Sequence, residues 1–408
     1  MTKNKFDVIV IGGGAAGFFA AINLAERLPH ISIAILEKST KLLQKVSISG
    51  GGRCNVTHAC FDPKTLIQFY PRGNKELLSA FHQFNPNHTV EWFLNKNIPL
   101  KTEEDGRMFP KSNTSSTIVN CFLEQVKRHN IAIITSTKVT TIQPKEKEFE
   151  LQTSSEKFVA KKVIITAGGF NKEEHFDFIK TLGHDIKTPV PSLFTFNLQH
   201  EKKLLQLQGI STFAEVKLKE NKLSENGQLL ITHWGISGPA VLKLSAKAAL
   251  FLYEKNYQFQ FFINWLPHEK ELSLNEKINL EKSNHPSKKI INSFPFPLAS
   301  NLKTYLLERS NISLETKWSE FSKKQQNKLI QTLLADEYTS SGKTTFKQEF
   351  VTCGGVDLKQ INFKTMESKV VSGLYFAGEV LDIDALTGGF NFQAAWTTAW
   401  IAANNIEL

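Results

Sequence analysis

Asp7-Val8-Ile9-Val10-Ile11-Gly12-Gly13-Gly14-Ala15-Ala16-Gly17 is the stretch that decides the fold of this chain. Residues 7–11 form a short β-branched run, as suits a strand buried on both faces. Three glycines follow, and Ala, Phe, Ile and Leu then recur at helical spacing over 15–28, up to the breaking Pro29. A second apolar run, 31–36, ends at the acid Glu37, twenty positions after Gly17. Strand, Gly-x-Gly-x-x-Gly turn, helix, strand and acid, in that order, make the fingerprint of a dinucleotide site. Gly12 permits the tight turn, Gly14 lets backbone approach a pyrophosphate, and Gly17 allows the helix to lie close on the strand. The helix start offers free N–H groups and a positive dipole end to the phosphates, while Glu37 can accept from ribose hydroxyls.

The 408 residues, 41% of them hydrophobic, are enough for two or three packed domains. The chain runs from Met1 almost directly into the first strand, so no signal peptide is expected, and no apolar run approaches membrane-spanning length. Cys54, Cys60, Cys121 and Cys353 form no Cys-x-x-Cys pair and no metal-ligand spacing, so free thiols, no metal and a cytoplasmic location are expected. The formal charge of +10 has two readings, a lysine-rich compositional bias or a polyanionic partner such as nucleic acid. Composition does not choose between them.

Further along, Ser49-Gly50-Gly51-Gly52-Arg53-Cys54-Asn55-Val56-Thr57 reads as a loop where backbone can approach a ligand. Arg53 supplies a fixed charge there, and Cys54 and Asn55 are placed to face a reacting centre. Helices are expected over 75–97, broken near Pro86, and over 114–129, with a polar loop at 103–112 carrying Arg107 between them. Val163-Ile164-Ile165-Thr166-Ala167-Gly168-Gly169 is another buried strand running into glycines. From Pro189 the alternation at 193–198, 213–218, 228–232 and 257–263 predicts antiparallel strands. Within this part Thr232-His233-Trp234-Gly235-Ile236-Ser237-Gly238-Pro239 leads into a helix, and 267–338 reads as a Lys- and Asn-rich helical insert. Nucleotide-binding texture then returns in Phe350-Val351-Thr352-Cys353-Gly354-Gly355-Val356 and in Ala377-Gly378-Glu379. Thr387-Gly388-Gly389-Phe390-Asn391 enters a terminal helix over 392–404. The expected fold is therefore α/β. A Rossmann-like dinucleotide-binding domain (1–188 and 346–408) is interrupted by a barrel-like antiparallel β domain (189–266 and 339–345) and a small helical domain (267–338).

On Gly12–Gly17, Lys45 with 49–57, 106–112, 232–240, 351–356, 365–369 and 373–400, the chain resembles the BaiN/YhiN (RdsA)-type, aminoacetone-oxidase-like FAD-dependent oxidoreductases. The match runs in order over nearly the whole length. It departs in lacking a Gly-Ser-Thr-Gly-Asp-Gly-like stretch within 170–182, and in carrying Asn301 where an Arg is common. The resemblance implies FAD lying extended across the Rossmann-like domain. Gly14, Ala15 and Ala16 would meet its pyrophosphate and Glu37 its adenosine ribose, with Gly12, Gly17 and Lys38 also counted in the cofactor site. Lys45, Ser49, Gly51, Arg53 and Asn55 would lie along the flavin, Ala167 and Gly168 beneath it, and Gly378, Glu379, Gly389, Phe390 and Asn391 on its other side. A helix starting at Gly389 would then aim its positive end at the ring.

Only one full dinucleotide fingerprint is present, so NADH or NADPH, if it is the electron donor, would bind only transiently. Proton donors to accompany a hydride are Cys54 and His233, with Cys353 and Asp384 behind them. Three readings of function remain. Some relatives resemble ribosomal RNA dihydrouridine synthases, which makes uracil in ribosomal RNA the first, with Trp234 and Phe390 as stacking surfaces. A small molecule, either an activated alkene or an amine, is the second. A non-enzymatic flavin-holding redox module is the third.

Overall fold

The computed structural model describes residues 4–344 and 351–408. Met1, the expected domain boundary at 345/346 and Phe350 lie outside the described residues. The described chain divides into two compact units, residues 4–192 with 351–408, and residues 193–344.

In chain order the first unit opens with β1 (Lys5–Ile11), α1 (Ala15–Arg27) and β2 (Ile33–Leu36). Then come α2 (Gln44–Gly52), β3 (Thr57–His58), α3 (Asn74–Gln83) and α4 (Pro86–Asn95). Pro86 at the first helical position, capped by Asn85, makes the expected break between the two helices. β4 (Leu100–Thr102) and β5 (Arg107–Pro110) pair with each other, and β5 pairs with β3, so the polar stretch expected to be a loop is a small antiparallel sheet. α5 (Ser115–Arg128), β6 (Ala132–Ile134), β7 (Val139–Pro144), β8 (Phe149–Thr153), β9 (Lys157–Ile165) and β10 (Ile186–Pro191) complete this part.

The second unit is an antiparallel sheet with helices. Its strands are β11 (Thr195–Asn197), β12 (Ser211–Leu218), β13 (Ser224–Ile231), β14 (Gly235–Ser237), β15 (Gln258–Asn264), β16 (Asp336–Ser341) and β17 (Lys343–Thr344). Its longer helices are α6 (Pro239–Lys247), α7 (Ala249–Glu254), α8 (Glu271–Asn284), α9 (Ser300–Arg309) and α10 (Lys323–Leu334). Strand residues such as Phe261 and Ile263 share one core with Leu274, Leu302 and Leu329 of the helices. The stretch expected as a separate helical domain therefore has no core of its own.

The chain returns to the first unit through β18 (Thr352–Val356), β19 (Ile361–Asn362), β20 (Glu367–Ser368) and β21 (Leu374–Phe376), and ends in α11 (Phe390–Asn405). Its main sheet has the order β19-β20-β21-β9-β1-β2-β6. The run β21-β9-β1-β2-β6 is parallel throughout, so strands from both ends of the sequence lie side by side. Val8, Ile9, Val10, Val163 and Ile164 are fully buried there, as a sheet covered on both faces requires. α1 packs on α11, where Phe19 meets Trp396 at 5.1 Å between ring centroids. Among the described residues no helix is long and apolar enough to cross a membrane, and no group of His, Cys, Asp or Glu could hold a metal ion.

Candidate functional site

At the turn between β1 and α1, Gly12 and Gly17 each have their own steric reason. Gly12 has φ +116°, and a Cβ there would stand 2.4 Å from the Thr166 carbonyl oxygen. A Cβ on Gly17 would stand 1.9 Å from the Gly12 oxygen, so only glycine lets α1 lie this close to the turn. A Cβ on Gly14 would meet nothing within 4 Å. α1 thus begins on open space, without a side-chain cap and without an acid in its first turn. The Thr166 hydroxyl, which the sequence pattern did not single out, donates to the Ile11 and Gly12 oxygens at 3.0 and 3.1 Å.

Glu37 is fixed by backbone. One carboxylate oxygen accepts from the Gly13 N–H at 2.7 Å and the other from the Ser39 N–H at 2.8 Å. The carboxylate stands at a cavity of about 320 Å³ lined by Gly12, Glu37, Val139, Ala167, Phe170 and Phe178 among others. Lys38, exposed, lies 5.0 Å over the Phe170 ring. Cβ atoms on Gly51, Gly52 and Gly168 would likewise meet nothing within 4 Å, so the backbone at these glycines and at Gly14 is open to approach. The Gly12 turn and the Ala167-Gly168 run follow the carboxyl ends of β1 and β9, where open α/β sheets bind ligands. In donor set and free space these residues fit an extended dinucleotide.

The loop expected at 49–57 begins where the regular part of α2 ends. α2 runs into Ser49, Gly50 and Gly51, whose dihedrals leave the helical region. The charges placed there are engaged within the protein. Arg53 pairs with Glu103 at 2.5 Å and lies 4.0 Å over the Phe109 ring, while Arg107 pairs with Glu103 and Asp105. Lys45 and Glu379 pair with each other at 2.5 Å, and the other Glu379 oxygen accepts from the Thr352 N–H at 2.9 Å. Glu103 carried no signal in the sequence.

A group without accessible surface touches nothing beyond the protein, and several expected contacts fall on such groups. Cys54 is fully buried, and desolvation pushes its thiol up to about 12. The expectation that it faces a reacting centre is corrected: it is a packing residue. Cys353 is 1% exposed with its thiol also at about 12, and Asp384 is fully buried in an ion pair with Arg72, so neither meets a substrate. Phe390 is 2% exposed, stacked on Phe69 at 4.2 Å and His58 at 4.6 Å, so it is no platform for a base. Ala16 and Gly378 are buried against one another, the glycine leaving room for the Ala16 methyl.

Asn55 is 9% exposed and acts as a strut. With its amide oriented by hydrogen bonding, its oxygen accepts from the Gly389 N–H at 3.0 Å and its nitrogen donates to the Thr57 and Met108 carbonyls. Asn391 braces its own loop, accepting from the Ala385 N–H at 2.9 Å and donating to the Ala385 oxygen at 3.1 Å. Gln393, fully buried, accepts from the Thr57 and Thr89 hydroxyls at 2.6 and 2.9 Å. Gly14, Ala15, Ser49, Gly51, Ala167, Gly168 and Gly389 keep accessible surface in this unit. His233 is exposed in the second unit, 5.9 Å from the half-buried Trp234 between ring centroids.

The family described as HI0933-like protein Rossmann domain matches residues 6–405. A ribosomal RNA dihydrouridine synthase of Haemophilus influenzae is 31% identical over 98% of this chain and 98% of its own length. A 3-dehydro-bile acid delta(4,6)-reductase of Clostridium scindens is 28% identical over 96% of this chain and 97% of its own. Among solved structures, a 3-ketosteroid-delta4-(5alpha)-dehydrogenase of Rhodococcus jostii shares the fold with a TM-score of 0.52 at 12% identity, covering 98% of this chain and 97% of that one.

Proposed function

The chain belongs to the HI0933-like Rossmann family, and from that premise we propose that it is an FAD-dependent reductase of a C=C bond whose substrate is uracil in ribosomal RNA. Its class, oxidoreductase, follows from family and fold. The observation that carries the cofactor is the uncapped start of α1, open at Gly14, with Glu37 held beside it by two backbone N–H groups. In this reading the N–H groups at Gly14 and Ala15 receive the pyrophosphate and Glu37 accepts from the ribose. Gly51, Ala167 and Gly168 let backbone lie against the cofactor, with Lys45 and Glu379 as flanking charges. When bound, FAD supplies hydride exchange at its N5. Of the two proton donors expected from the sequence, Cys54 is sealed in the core and His233 is exposed.

Two relatives carry names of reductive reactions on unlike substrates, a base in ribosomal RNA and a bile acid. Charge supports the RNA reading. Residues 193–345 hold 20 Lys and Arg against 14 Asp and Glu, and the rest of the chain holds 29 against 25, so most of the excess sits in the smaller unit. The test is deletion of the gene followed by mass spectrometry of ribosomal RNA nucleosides; dihydrouridine unchanged from the parent strain overturns this substrate. The second reading, a small activated alkene or amine, is favoured by the bile-acid reductase at similar identity. NADH or NADPH is the proposed electron donor. Bleaching of bound flavin by either one in anaerobic stopped flow is expected, and no bleaching with both removes them.

A further inference from the structure

Asp384 has no accessible surface, and its partner Arg72 lies 312 residues away in sequence. The guanidinium grips both carboxylate oxygens in a fork, and the Ser192 hydroxyl donates to one of them. Arg72 also reaches the Ser192 oxygen at 3.2 Å. Around this pair two segments are zipped together. The backbones of Arg72 and Asp384 form an antiparallel bridge, the Leu386 N–H donates to the Phe69 oxygen at 2.9 Å, and the Tyr70 hydroxyl donates to the Phe390 oxygen at 2.6 Å. Residues 69–72 thereby set where α11 begins. That beginning is an αL glycine, Gly389 at φ 94°, with no side-chain cap and no acid in the first turn, so its positive dipole end is not neutralised by a neighbouring carboxylate of its own helix.

We propose that Arg72 and Asp384 are positioning residues that hold the amino end of α11 toward the ring of the cofactor and so raise its reduction potential. The inference rests on the cofactor reading given above and on the expectation, from the family resemblance, that the start of α11 faces the flavin. A fixed positive dipole end favours the negative charge gained on reduction, and an end free to move favours it less. Neither side chain touches the cofactor; both act through the backbone of 385–390.

The test is the midpoint potential of FAD-reconstituted protein, equilibrated against a redox dye, for R72M, R72K and S192A, with thermal melting in parallel. R72M is expected to shift the two-electron equilibrium toward oxidised flavin about tenfold, or about 30 mV. R72K, which keeps the charge but loses the fork, is expected to restore part of that shift. S192A is expected to move the equilibrium the same way by about twofold. If R72M fails to fold, R72K and S192A decide. A lowered melting temperature with the wild-type potential in both overturns the proposal. Wild-type protein that takes up no FAD defeats the cofactor reading instead.

Discussion

The glycine turn at 12–17 and the loop at 382–391 belong to one unit but are built in opposite ways. In the turn the decisive contacts are backbone on backbone. The absent Cβ of Gly17 faces the Gly12 oxygen, and the absent Cβ of Gly12 faces Thr166. In the loop the decisive contacts are polar side chains from far along the chain: Arg72 on Asp384, Asn55 on Gly389, and Gln393 on Thr57 and Thr89. A backbone constraint admits one residue type and so is written in consecutive glycines. A polar constraint can be met by a partner from any segment, so it leaves no local pattern.

Four substitutions probe that contrast. Gly17→Val should have the largest effect, because its Cβ would stand 1.9 Å from a backbone oxygen that has no room to retreat. Loss of soluble folded protein is expected, and a cooperative wild-type-like melt would remove the steric account of the turn. Gln393→Ala takes the acceptor from the buried Thr57 hydroxyl and the shorter of two from that of Thr89, and opens a cavity, for a loss of about 3 kcal/mol in urea unfolding. A loss near zero would mean that remote polar pairing does not hold the start of α11.

Asp382→Asn should change stability with a definite pH dependence. Burial, then repulsion from Asp384, lifts the Asp382 carboxyl to about 6, while the Gly354 N–H donates to it at 3.0 Å. The folded value lies above the unfolded one, so the folded state binds the extra proton, and the wild type loses stability as pH rises from about 4 to about 6. The Asn carbonyl can still accept from Gly354. The variant should therefore be more stable than wild type by roughly 2 kcal/mol at pH 7.5, with the gain disappearing below about pH 4. Equal gains at both pH values would refute the assignment. Gly14→Ala is the mildest change. Its methyl enters open space, so stability should move by at most about 1 kcal/mol, while FAD affinity falls about tenfold in a fluorescence titration. Unchanged affinity would place the pyrophosphate elsewhere.

Much of the first unit was legible in the sequence. β1, α1, β2 and the acid after it stand where apolar period and glycine spacing put them, and β21 joins their sheet from the far end of the chain. Other elements were not. α8 was not singled out within the expected helical insert, because Leu272 and Leu280 are exposed while Leu274 and Ile278 are buried, so its apolar residues mark no single face. The small sheet of β3, β4 and β5 was hidden because Arg107 and its neighbours read as polar loop, and only pairing with distant strands makes them extended.

For chemistry the division is sharper. Steric demands of a phosphate-binding turn act over a few bonds, so the sequence alone determined the dinucleotide fold and the glycines at its mouth. Desolvation and ion pairing depend on what other segments bring to the same place. Only the tertiary structure therefore sealed Cys54 in the core, turned Asn55 into a strut for Gly389, engaged Arg53 with Glu103, and joined Arg72 to Asp384 across 312 residues.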